Sequence, residues 1–155
     1  MPDRPNALTA AAGEHYVAYL LSSRGYIAAL TRGGSPSVDI LAASVDGKRT
    51  IGIQVKTSSW GFSPRKKKPE ESHWEFDVGF KAVGNADDTF LYAFVSLSGD
   101  NQSKPIVFFV PPSDVCEQLG TGDKRPMFWI YEKDRKKYEE DGWRLITNRL
   151  HAPES

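Results

Sequence analysis

Four side chains carry the chemistry that this sequence can offer, and three of them lie on one short stretch. Asp39 precedes, and Gln54 and Lys56 follow, an Asp46-Gly47 pair set between the apolar, β-branched runs 38–45 and 48–56. An Asp-Gly pair in that setting signals a β-hairpin, because both residues tolerate the positive φ that tight hairpin turns require. With Asp46-Gly47 as a two-residue loop, Val45 pairs with Lys48 and Asp39 falls opposite Gln54, their Cβ atoms roughly 4.5–5.5 Å apart. A four-residue loop keeps this register, and a three-residue loop breaks it. Alternation along the strand turns Lys56 to the same face as Gln54. A carboxylate, an amide and an ammonium then share one patch of sheet.

That patch suits metal-assisted phosphodiester cleavage. Mg²⁺ takes oxygen ligands, usually one or two carboxylates with water and substrate phosphate. Asp39 supplies a carboxylate, Gln54 a neutral carbonyl oxygen, and the backbone carbonyl of Val55 a third ligand. Lys56 would orient or deprotonate the attacking water and stabilise charge on the phosphate. The competing explanation is an ordinary cross-strand ion pair between Asp39 and Lys56, worth under ~1 kcal/mol.

The elements that must position this patch can be read from apolar spacing. A helix is expected from a cap at Thr9 or Asn6 to about Ser23, with Gly25 in the C′ position. Its apolar face is Ala10, Ala11, Val17, Ala18, Leu20 and Leu21. Glu14 lies three before Val17 and seven before Leu21, so it points along that face, where an isolated carboxylate is costly unless it pairs or binds a metal. Glu14 is therefore the candidate second acid. A strand at 26–30 precedes the hairpin, and a polar stretch, 57–72, follows it as an exposed loop or flap. Segment 74–83 is compatible with strand or helix. Strands follow at 90–97 and 106–110, then a short helix from Ser113 to Gly120. The tail carries Phe128-Trp129-Ile130-Tyr131, a charged helix over 133–141, and Trp143-Arg144-Leu145-Ile146. Trp129, Tyr138, Trp143 and Ile146 suggest a docking stripe for the last helix. The expected architecture is a mixed α/β sandwich around a central sheet.

Composition bounds the partners. The 155 residues suit one domain with a real core, and 20 basic residues balance 20 acidic ones. Without a global field, nucleic-acid binding has to come from a local patch. The lone Cys116 excludes an internal disulfide and a Cys-rich metal site, and His15, His73 and His151 lack zinc-ligand spacing. No run has the length of a membrane span, and no leader pattern opens the chain, so a cytoplasmic protein is expected. Arg65, Lys66, Lys67 and Lys68 could follow a phosphate backbone, and Arg32 beside Gly33-Gly34 could meet a phosphate. Trp60 and Trp74 flank the basic run as candidate base-stacking residues, with the core favoured for Trp74.

At Glu14, Asp39 and Gln54-Val55-Lys56 the chain resembles the PD-(D/E)XK nuclease superfamily, in a Gln-x-Lys variant similar to Mrr-type and junction-resolvase-like members. Members carry a helix-borne Glu, an Asp opening the second strand, and an acid-x-Lys on the third. Here Val38 stands where the Pro is expected, and Gln54 replaces the acid, which leaves the metal site one charge short. The resemblance implies a restriction-endonuclease-like α/β (α+β) fold, a central mixed sheet of four to five strands flanked by helices. It implies a catalytic core over about 8–110 and a C-terminal helical extension over about 111–150, together forming one domain, 1–155. It further implies Mg²⁺ dependence, with Mn²⁺ as a substitute ion, and hydrolysis leaving a 5′-phosphate. The implied substrate is nucleic acid, DNA ahead of RNA, and a homodimer is compatible with cutting both strands. The alternative is a catalytically inactive member of the same fold that binds nucleic acid or protein as an immunity or regulatory domain.

Overall fold

The computed structural model describes residues 5–31, 38–97, 103–119 and 124–151. Helix α1 (Asn6–Ser23) leads into β1 (Ile27–Leu30), β2 (Ile40–Ala43) and β3 (Thr50–Ser58). After β4 (Phe62–Ser63) come β5 (His73–Asp77), β6 (Phe90–Ser96), β7 (Ile106–Val110), α2 (Pro112–Leu119) and β8 (Met127–Tyr131). Two short helices, α3 (Arg135–Tyr138) and α4 (Trp143–Leu150), complete the chain. The central sheet has the order β1-β2-β3-β6-β7, antiparallel except for the parallel pair β3–β6. A second, antiparallel sheet has the order β4-β5-β8.

The β2–β3 hairpin has the expected register. Ile40 pairs with Ile53 and Ala43 with Thr50, so every pair has the sum that places Asp39 opposite Gln54. The loop is the four-residue form, closed by the Ser44 N–H donating to the Arg49 carbonyl at 3.0 Å. The Asp46 carboxylate accepts from Ser44 Oγ at 2.6 Å and from the Lys48 N–H at 3.0 Å. Gly47 takes a φ of 72°, which a side chain would resist.

Two apolar layers enclose the central sheet. On one face Ile51, Ile53 and Val55 of β3 pack with Val17 and Leu21 of α1 and with Ile146 and Leu150 of α4. On the other, Phe94 and Phe108 pack with Trp74, Phe76, Phe128 and Ile130 of the second sheet. Strand alternation therefore sends Gln54 and Lys56 away from α1 and toward the second layer.

Several local expectations are corrected. The α1 N-cap position is Pro5 and carries no side-chain cap. Thr9 is instead buried in a stripe with Gly13, Val17 and Leu21, while Ala10 is exposed. A four-residue spacing faces the sheet because Gly13 lets the helix approach closely: a Cβ there would stand 1.8 Å from Thr57 Oγ1. Segment 74–83 divides into β5 and a 3₁₀ turn, Phe80–Ala82. Ser113 lies inside α2 and binds the Asp88 carboxylate through its N–H and hydroxyl, both at 2.9 Å. The charged helix over 133–141 is only a 3₁₀ turn and the short α3. Trp129 belongs to β8, Tyr138 to α3, and Trp143 and Ile146 to α4, so they form no single helical stripe. The segment after residue 111 contributes a strand as well as helices, because β8 pairs along β5 from His73↔Tyr131 to Asp77↔Met127.

Candidate active site at the open edge of β3

Strand β3 is nine residues long and β2 only four, so β3 continues past its partner. From Gln54 to Ser58 it pairs with β6 on one side, in the register Gln54↔Tyr92 to Ser58↔Ser96. On the other side the β2 ladder stops at Ile40↔Ile53. There Asp39 bends: its N–H donates to the Ile53 carbonyl at 2.9 Å, and its Oδ2 accepts the Val55 N–H at 2.7 Å. A carboxylate thus occupies the place where a continued ladder would present a backbone carbonyl. In an extended strand the N–H and C=O of one residue point to the same edge. The Val55 carbonyl therefore opens to the side on which Asp39 sits.

Thr31 fixes the turn into this position. Its N–H donates to the Asp39 carbonyl at 2.9 Å and its hydroxyl to the Val38 carbonyl at 2.7 Å. The carboxylate orientation is thereby set from both backbone and side chain.

Glu14 reaches the same place from α1. Burial and the negative charge of Asp39 push its carboxyl above the ordinary glutamate range, and His15 only partly offsets them. The helix places the two acids within electrostatic reach because Gly13, the preceding residue, lies directly against Thr57 of β3. Among the described residues neither carboxylate forms an ion pair with a lysine or arginine. The Asp39–Lys56 ion pair, the simpler explanation of the hairpin cluster, is not formed.

Gln54 and Lys56 stand side by side on the opposite face of β3. They line an open cavity of about 450 Å³ with Gly79, Phe80, Lys81 and Tyr92. Burial pushes the Tyr92 hydroxyl up, so it remains a hydrogen-bond donor across the working pH range. The structure therefore brings Glu14 within electrostatic reach of Asp39, Asp39 onto the Val55 backbone, and Gln54 beside Lys56 in a cavity that neither acid lines. A larger groove of about 740 Å³ between α1, α3 and α4 contains none of these four residues.

The other sequence-derived candidates divide. Arg65, Lys66, Lys67 and Lys68 are exposed on the β4–β5 connection, with Lys68 paired to Glu71 at 3.2 Å. Arg32 falls outside the described residues. Thr31, Thr57 and Tyr92 were missed by sequence reasoning, since nothing local marks a threonine or tyrosine as a neighbour of a distant acid. Gly13 did carry a signal: a glycine inside a helix has to be explained by close packing.

Among the described residues no three His, Cys, Asp or Glu side chains gather as a metal cluster. The oxygen set here is smaller and of the kind a hard cation takes: two mutually repelling carboxylates and a backbone carbonyl on an open edge, with the Gln54 amide on the other face of β3. No protein-family profile matches the chain, and neither does a curated protein. Among solved structures it is similar to a bacterial homing endonuclease, I-Ssp6803I, at 18 % identity and a TM-score of 0.60 over 94 % of each chain. The fold is thus nuclease-like, a mixed α+β arrangement with a five-stranded sheet, a second sheet and flanking helices.

Proposed function

We propose that this chain is a Mg²⁺-dependent endonuclease of the PD-(D/E)XK type that hydrolyses DNA phosphodiester bonds. The observation that carries this reading is the Asp39 carboxylate, anchored on the Val55 N–H at an open strand edge with Glu14 within its electrostatic reach and, among the described residues, no lysine or arginine paired to either acid. The likeness of the fold to a homing endonuclease supports it.

The residues that would hold the ion are Glu14, Asp39, the Gln54 side-chain carbonyl and the Val55 backbone carbonyl. The chemistry a bound Mg²⁺ supplies at such a site is Lewis-acid polarisation of the phosphate and a more acidic water. Asp39 keeps a fixed orientation because Oδ2 is anchored on the Val55 N–H. Lys56 orients the attacking water and donates to a non-bridging phosphate oxygen, where negative charge accumulates during attack. Arg65, Lys66 and Lys67 hold the DNA backbone by charge.

Gln54 favours a second reading, a nucleic-acid- or protein-binding domain on the same fold, because it removes one charge from the metal site. One experiment separates the two. The purified protein is incubated with supercoiled, linear and single-stranded DNA and with RNA, in Mg²⁺, Mn²⁺ or EDTA, beside Asp39→Ala and Lys56→Ala. Cleavage that requires metal and both side chains supports the nuclease. Cleavage that survives either substitution rejects this site, and binding without cleavage supports the second reading.

A further inference from the structure

We propose that the cleft walled by Trp60 captures one unpaired or extruded base of the DNA, an inference that rests on the nuclease reading and specifies its substrate. The four tryptophans have different surroundings. Trp74 is 4 % exposed, Trp129 stacks on His73 at 4.1 Å, and Trp143 packs between Arg24 at 3.8 Å and Phe109 at 4.7 Å. Trp60 is 65 % exposed and has no ring partner among the described residues. An indole so exposed and so close to a candidate site is a stacking surface without its partner.

Its position is fixed from beneath. The Gly61 N–H donates to Ser96 Oγ at 3.2 Å, and the Leu97 N–H to the Ser58 carbonyl at 2.9 Å. Beside the indole lies a cleft of about 250 Å³ lined by Phe62, Trp74, Leu97, Ile106 and Lys104. Phe62 and Trp74, 4.8 Å apart, form an aromatic floor, and Lys104 adds a positive charge. Aromatic walls with a cation match a nucleobase and its phosphate. Trp60 follows Lys56 by four residues, a chain length of at most about 14 Å, so the cleft and the proposed reaction site lie within a few nucleotides of each other. Exposed Arg65, Lys66 and Lys67 on the next connection complement the phosphate charge. A base inside a duplex cannot enter such a cleft; it has to be unpaired or rotated out of the stack.

The test is binding of DNA carrying 2-aminopurine at a single bulged position, compared with the fully paired duplex, in EDTA so that no cleavage intervenes. The full chain is expected to bind the bulged DNA more tightly and to quench its fluorescence. Trp60→Ala should weaken that binding about 5- to 150-fold and leave the paired duplex unaffected, while Trp60→Phe retains most of the affinity. Equal binding of both DNAs by the wild-type chain, or wild-type affinity in Trp60→Ala, would overturn the proposal. Mg²⁺-dependent cleavage that needs Asp39 but ignores Trp60 rejects the cleft and keeps the nuclease. Trp60-dependent base capture with no Asp39-dependent cleavage does the reverse.

Discussion

At the scale of single residues the two acids govern the behaviour of the site. The folded-state pKa of Glu14 is raised, so between its ordinary value and the raised one the native chain binds more proton than the unfolded chain. Stability from this group therefore falls as pH rises through that window and stays at the lower level above it. Glu14→Gln is expected to stabilise the metal-free protein at neutral pH by less than about 1 kcal/mol, a small gain because the side chain is partly solvated. Denaturant unfolding in EDTA measures it, and an equal gain at acidic pH, where Glu14 is already protonated, would contradict the mechanism. Asp39→Asn keeps an acceptor for the Val55 N–H but removes the charge, so the Glu14 pKa should fall toward its ordinary value in an NMR titration. Lys56→Ala should lower the cleavage rate by about 10²- to 10⁴-fold with binding little changed, if Lys56 handles the attacking water.

At the scale of elements the approach of α1 to β3 is what brings Glu14 to the site. Gly13→Ala puts a methyl 1.8 Å from Thr57 Oγ1, and the helix has to move away. Alanine favours an isolated helix over glycine by about 1 kcal/mol, yet overpacking costs about 1–3 kcal/mol. Net destabilisation is expected in urea unfolding, with cleavage reduced further than stability alone requires, and a partial recovery in the double variant with Thr57→Gly. The hairpin was legible because its register depends on a local turn: Asp46-Gly47 and two flanking apolar runs suffice to place Asp39 opposite Gln54. The bend at Asp39 was not legible. It lies where β2 has not yet begun: the ladder starts at Ile40↔Ile53, while β3 runs on to Ser58.

At the scale of the whole molecule, 20 acidic residues cancel 20 basic ones, so DNA affinity must come from where the charges lie. Lys66→Gln is expected to weaken binding to all DNA sequences alike and to reduce the slope of log affinity against log salt by about 0.9, one phosphate contact. An unchanged slope would place the DNA elsewhere. The two layers also have different roles. α1 and α4 cover the face that carries the core of β3, and the second sheet forms the far wall beneath the Trp60 cleft. No described helix is long and apolar enough to cross a membrane.

The sequence by itself determined the hairpin, its register, the shared face of Gln54 and Lys56, and the helix that carries Glu14. Each depends on residues close in the chain and on the fixed periods of strand and helix. Tertiary structure alone decided which acids interact, because the packing of α1 on β3, closest where Gly13 faces Thr57, brings Glu14 within the field of Asp39. It also decided that β8 pairs with β5, a partner more than fifty residues earlier, and so converted an apparently helical tail into part of a second sheet. That pairing buries Trp74, while Trp60 stays open to solvent. The sequence already favoured the core for Trp74, and the long-range packing of one sheet on the other is what buries it and leaves Trp60 exposed.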